Sequence, residues 1–327
     1  MKKTLMATLV ASVFLSAPAM ANPLIIKFSH VVSPDTPKGK GATRFKELAE
    51  KYTEGKVVVE VYPNSQLYKD KEELEALQLG AVHMLAPSLA KFGPLGVREF
   101  EVFDLPFIFK DRTDLRKVTE GPVGRQLLDK LESKGIKGLA YWDNGFKVMS
   151  ANTPLHTPDD FLGLKMRIQS SKVLEAQFKA LDAVPQVMAF SEVYQALQTG
   201  VVDGTENPPS NMYTQKMHEV QKHATMSNHG YLGYAVIVNK KFWEGLPEDV
   251  RQPLEKAMTE ATQYANDIAE QENLESLQAM KDSGKTQFYE LSDAERQEWI
   301  KQLRPVHKEM ASRIGQDVID SFYKAME

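Results

Sequence analysis

The sequence predicts an α/β protein built in two parts. Strands and helices alternate over residues 25–86 and again over 136–204, and one unusually long helical stretch follows. The length of 327 residues exceeds the usual size of one domain, and a 42% hydrophobic content supplies a core for each of two.

In chain order, residues 1–21 stand apart. Lys2 and Lys3 precede a mostly apolar stretch over 4–16, and Ala19-Met20-Ala21 has the small-x-small pattern of a signal-peptidase site. The apolar stretch is shorter than the roughly 20 residues of a membrane span, so a cleaved secretory signal is expected. Cleavage after Ala21 leaves 306 residues and, with Lys2 and Lys3 gone, moves the net charge from −4 to −6.

Ile25 to His30 reads as a buried strand, and a Pro/Gly-rich loop is expected from Ser33 to Gly41. Phe45, Leu48, Ala49 and Tyr52 then recur at helical spacing, and Gly55 closes that helix. Val57 to Tyr62 is a second strand, Lys71 to Leu79 a helix ended at Gly80, and Ala81 to Ala86 a third strand. The second round opens with a strand over Ile136–Trp142 and a helix start at Thr157-Pro158. Strands at 165–169, 184–188 and 201–204 alternate with helices at 171–181 and 191–199, and the loop 205–209 follows. After a strand over Tyr234–Asn239, a helical pattern runs from Leu246 to about Asp282, some 50 Å at 1.5 Å per residue. A helix of that length can lie against both domains. Residues 292–327 read as two or three amphipathic helices.

Composition narrows the function. The charge of −4 gives no global attraction to nucleic acid, so an anionic partner must be held by local basic groups. Without cysteine, the chain has no disulfide and no thiol chemistry. It lacks Gly-x-Ser-x-Gly, His-Glu-x-x-His and the Gly-x4-Gly-Lys phosphate loop, and Gly39-Lys40-Gly41 reads as a flexible loop. The seven histidines are scattered, so neither a metal nor a cofactor is expected.

Residues 163–207 are the informative stretch. Arg167 lies in a strand between Met166 and Ile168, where a guanidinium needs an anionic partner, either a ligand carboxylate or an internal Asp or Glu. Asn207, placed in a loop just after a strand, can both donate and accept, or simply form a turn before Pro208.

The runs "GLKMRIQ" and "MAFSEVYQALQTGVVDGTENP" resemble the signature region of the solute-binding proteins of TRAP transporters, the DctP family. "FSHVVSPDTPKGKGATRFKELAEKYTEGKV", "VYPNSQLYKDKEELEALQLGAVHMLAPSLAKFG" and "VFDLPFIF" extend the similarity over nearly the whole chain. "YWDNGFKVMSAN" and "NHGYLGYAVIVNKKFW" point to the C4-dicarboxylate branch. The resemblance implies a two-domain periplasmic binding fold, with a ligand cleft between the domains and a long helix across both. It implies a non-enzymatic monomer in the periplasm that captures malate, succinate or fumarate and hands it to the small and large membrane subunits of a permease. It makes Arg167 the carboxylate anchor, has Asn207 fix the same ligand, and puts Phe190 on the pocket wall. Lys147 stands where sialic-acid-binding members carry arginine, which fits a smaller acid. His30 and Ser88 take cleft-facing positions. Lys91, Asn211 and Tyr234 are weaker candidates, readable equally as a surface lysine, a helix cap and a core tyrosine. The expected domains are 22–144 with 233–272, and 145–232 with 273–327. Hinges are expected at 144–146 and 230–234. A sugar acid, an aromatic acid, a 2-oxo acid or an amino acid is the alternative ligand, and a secreted enzyme acting on a carboxylate the remote one.

Overall fold

The computed structural model describes residues 22–327, so the signal segment expected over 1–21 lies outside the described residues. Among the described residues the chain forms two mixed sheets. The first takes β1 (Leu24–Ser29), β2 (Val57–Tyr62), β3 (Met84–Leu85), β4 (Ile136–Phe146) and, much later, β10 (Tyr231–Asn239). Between β4 and β10 the second sheet takes β5 (Val148–Ala151), β6 (Lys165–Ile168), β7 (Val184–Val187), β8 (Gly204–Asn207) and β9 (His223–Met226), with β11 (Gln287–Glu290) added last. The spatial orders are β2-β1-β3-β10-β4 and β11-β9-β5-β8-β6-β7. In the first sheet β1 is parallel to β2 and β3, whereas β10 is antiparallel to β3 and β4. The chain passes between sheets at Lys147 and returns after β9, and Lys147 N donates to Gly230 O at 2.9 Å, so the two crossings run side by side.

Helices cover both faces of the first sheet, so its central strands are apolar on both sides. Along β10, Val236 and Val238 face one core with Phe28, Phe45 and Trp142, while Ala235 and Ile237 face the other with Phe92, Phe103 and Leu131. This is the period-two alternation of a strand buried on both faces. The helix Pro37–Tyr52 starts within the expected loop: the Thr36 side chain accepts from Gly39 N, and Pro37 takes the first helical position. Gly39 and Gly41 are helical, and what they provide is space rather than flexibility. A Cβ on Gly39 would lie 2.5 Å from Pro34 Cα, and one on Gly41 would lie 2.8 Å from Ala265 Cβ on the long helix.

That long helix spans Glu248–Ser283 and carries Pro253 inside its second turn, giving up one backbone hydrogen bond there. It packs against the helix 37–52 and β4 of the first domain and against Pro209–Thr214 of the second. Two expectations need correction. The strand expected at 201–204 lies at 204–207, because Val201 N and Val202 N still donate to Ala196 O after Gly200 ends the helix. Asn207 is therefore the last strand residue and not a loop residue. The tail 273–327 is also not all second-domain. Trp299 and Leu303 join the second core, but Val306, Met310, Ile314, Ile319 and Phe322 pack into the first.

Candidate functional site

The domains meet over a narrow space of only about 20 Å³. From the first domain Lys38 reaches it from the opening turn of its helix, with Asp70, Glu73, Ser88 and Lys91 from the segments flanking β3. Tyr234 enters from β10. The second domain supplies Gln169 just after β6, Phe190, Asn207 at the end of β8, and Asn211. Contacts across the cleft hold it shut: Gln169 Nε2 donates to Ser88 Oγ at 2.8 Å, and Lys69 pairs with Glu192 at 2.7 Å.

Charge is concentrated at this boundary. Lys91 Nζ lies 2.7 Å from Asp70 Oδ2 with both side chains buried, and Arg167 Nη2 lies 4.0 Å from the same oxygen. Burial alone would raise the Asp70 carboxyl, but Lys91 and then Arg167 outweigh it and hold the group below its ordinary value. Arg167 also donates from Nε and Nη2 to Met188 O at 3.1 and 2.9 Å, with its guanidinium 5.9 Å from the Phe190 ring centre. Lys38 Nζ donates to Ala86 O at 2.9 Å and sits 3.8 Å over the Tyr234 ring. Burial lowers Lys38 to about 8 despite the opposing pull of Glu73 and Asp70. His30 is buried behind the cavity wall with both ring nitrogens unpartnered, and burial together with Lys38 holds it at about 3, hence neutral.

The amides are equally ordered. Asn144 Nδ2 donates to Tyr234 Oη at 2.8 Å and to Asn211 Oδ1 at 2.9 Å, and Asn211 Nδ2 donates to Asn207 Oδ1 at 3.3 Å. Asn207 Nδ2 and Glu73 Oε2 are left buried and unpartnered. An uncompensated buried polar group costs about 1–3 kcal/mol, so the Asn207 and Glu73 atoms, both on the cavity lining, mark places where a polar ligand would be favoured.

Of the residues singled out in the sequence, Ser88, Lys91, Phe190, Asn207, Asn211 and Tyr234 line the cavity, and Arg167 abuts it through Asp70 and Phe190. Lys147 does not. Its Nζ lies 2.6 Å from Glu206 Oε1, whose other oxygen takes His229 Nε2 at 2.7 Å and Gln177 Nε2 at 3.1 Å. The expected second basic grip is thus an internal ion pair beside the crossing between sheets. Burial would raise Glu206, but Lys147 and His229 outweigh it and hold the carboxyl well below its ordinary range.

A family model described as "Bacterial extracellular solute-binding protein, family 7" (DctP) matches residues 28–314. The chain belongs to this family. Among its relatives, the C4-dicarboxylate-binding periplasmic protein DctP of Rhodobacter capsulatus is 76% identical over 94% of this chain and 92% of that protein. Two solved TRAP periplasmic solute-binding proteins share the fold. One, from Shewanella oneidensis with bound succinate, has TM-score 0.91 and 45% identity, covering 93% of this chain and all of that one. The other, from Pseudomonas aeruginosa with bound L-malate, has TM-score 0.86 and 46% identity, covering 88% and 100%. The two-domain fold with a cleft between the domains is therefore that of a solute-binding protein, and not of an enzyme.

Sequence reasoning missed four polar cavity residues of this family 7 protein, Lys38, Asp70, Glu73 and Gln169, and the apolar Val31, Val32 and Leu232. Asp70 and Glu73 sit in the charge-rich run Lys69 to Glu75, which reads as a solvated face, although both are buried. The available signal was the helical offset of Glu73 from the apolar Leu74 and Leu77, which puts it next to the buried stripe.

Proposed function

We propose that the protein captures a C4-dicarboxylate such as succinate, malate or fumarate from the periplasm and delivers it to the small and large membrane subunits of a TRAP permease. The carrying observation is the cavity itself, small and shut between two domains, with Lys38, Lys91 and Arg167 at its boundary and unpartnered polar atoms around it. The names of the relatives support the choice of a C4-dicarboxylate.

In this reading Arg167 holds one carboxylate, and Lys38 takes the part that the sequence suggested for Lys147. Asn207 and Ser88 orient the chain between them. Each charge-assisted bond contributes about 1.5–3 kcal/mol, so a few reach the roughly 8 kcal/mol of a micromolar binder once closure excludes water. The moving bodies are 22–144 with 233–272 and 145–232 with 273–304, bending at the adjacent crossings, while the helices over 305–326 ride on the first. Residues 1–21 would direct export. Thermal-shift screening of an acid library tests the ligand class: C4 diacids should raise the melting temperature most, and a large shift with uronic or aldonic acids but none with C4 acids would overturn it.

A further inference from the structure

Glu73 lines the cavity at 1% exposure and keeps Oε2 without a hydrogen-bond partner. Lys38, whose ammonium donates to Ala86 O and lies over the Tyr234 ring, makes no hydrogen bond to it. Charges around the cavity then become decisive. Lys38, Lys91 and Arg167 bring three positive charges, Asp70 cancels one, and His30 is neutral. The boundary carries +2 when Glu73 is protonated and +1 when it is ionised. A dianion sealed from water is matched by the first state and leaves an uncompensated negative charge in the second, which burial penalises heavily. An ionised carboxylate moreover only accepts hydrogen bonds, and so can offer nothing to a ligand carboxylate, whereas the acid form donates one.

We propose that Glu73 takes up one proton from solvent when a dicarboxylate dianion fills the closed cavity, and as the carboxylic acid donates its O–H to a ligand carboxylate oxygen. The step adds H⁺ to the Glu73 carboxylate and breaks no bond in the ligand, so capture of the diacid is linked to uptake of one proton. The inference rests on the dicarboxylate reading above. The groups facing Glu73 are Lys38 from the helix 37–52, Asp70 and Glu72 from its own segment, and Lys91 from the turn after Ser88. Even before a ligand arrives, burial outweighs Lys38 and raises Glu73 to about 7. The dianion raises it further, since a like charge nearby disfavours ionisation. A monocarboxylate of equal length needs no such uptake.

Calorimetry of the mature protein with succinate, in buffers of different ionisation enthalpy, counts the protons. The expected uptake at pH 8 is close to one proton per succinate at Glu73 plus any share taken by Lys38, and close to none at pH 6, where both groups are already protonated. Lys38 titrates in the same window, so E73Q separates the two: the Glu73 share disappears and any Lys38 share stays. Infrared difference spectra at pH 8 give a second readout on the wild type alone, which decides the matter even if E73Q does not fold. A protonated-carboxyl C=O band should appear on binding and stay in place with ¹³C-succinate. Succinate binding without proton uptake, undiminished uptake in E73Q, or a band that shifts with the labelled ligand would overturn the inference and leave the dicarboxylate reading standing. No succinate binding by the wild type would overturn both.

Discussion

Arg167 and Asp70 stand 4.0 Å apart on opposite sides of the cleft, the guanidinium at the end of a second-sheet strand and the carboxylate on the first domain, shared with Lys91 at 2.7 Å. Both are buried. A ligand carboxylate beside Arg167 would thus enter a site where one anion already holds two cations in place. The site is arranged before the ligand arrives, and this lowers the cost of ordering it on binding.

Arg167→Ala removes the anchor of the proposed ligand. Succinate affinity should fall by at least the value of one charge-assisted bond, about 1.5–3 kcal/mol or roughly 10- to 150-fold, measured by calorimetry. Unchanged affinity would remove Arg167 from the site.

Lys147→Met should act on stability. Breaking a buried pair leaves Glu206 under-compensated at a cost of about 3–5 kcal/mol, read as a lower denaturant midpoint. In the folded fraction, succinate affinity should change less than it does in Arg167→Ala. The reverse pattern would return Lys147 to the ligand.

Asp104 gives a pH signature. Burial raises its carboxyl to about 7, with Lys147 only partly opposing, against about 3.9 in an unfolded chain. The native state therefore binds more protons between those values. Stability from this group is full below about pH 3.9 and is lost as pH rises through 7, with a slope approaching about 1.4 kcal/mol per pH unit. Chemical denaturation from pH 5 to 6.5 should show that slope in the wild type relative to Asp104→Asn. Parallel curves would refute it.

The cross-cleft pair Lys69–Glu192 is largely exposed and should contribute little. Glu192→Ala should weaken succinate binding by less than about fivefold, and added salt should shrink even that difference.

The sequence made local structure legible where periodicity and caps agree. Val57 to Tyr62 forms the expected strand, and the long helix runs from 248 to 283 against an expected end near 282. Partners distant in sequence were not legible. Lys147 and Glu206 are 59 positions apart, so whether that lysine faced a ligand or an internal carboxylate depended on which strands meet. The amphipathic helices over 305–326 showed a buried face but not which core it joins. Asp70 and Glu73 were hidden for a related reason: a charge-rich run looks solvated until another domain closes over it.

The most direct test of capture of a C4 diacid is a calorimetric titration of the mature protein with succinate, alongside galactonate and glucuronate. One saturable site for succinate, at least tenfold tighter than for either sugar acid and at least tenfold weaker in Arg167→Ala, is the expected result. Saturable binding of a sugar acid with no heat from succinate, malate or fumarate would contradict it.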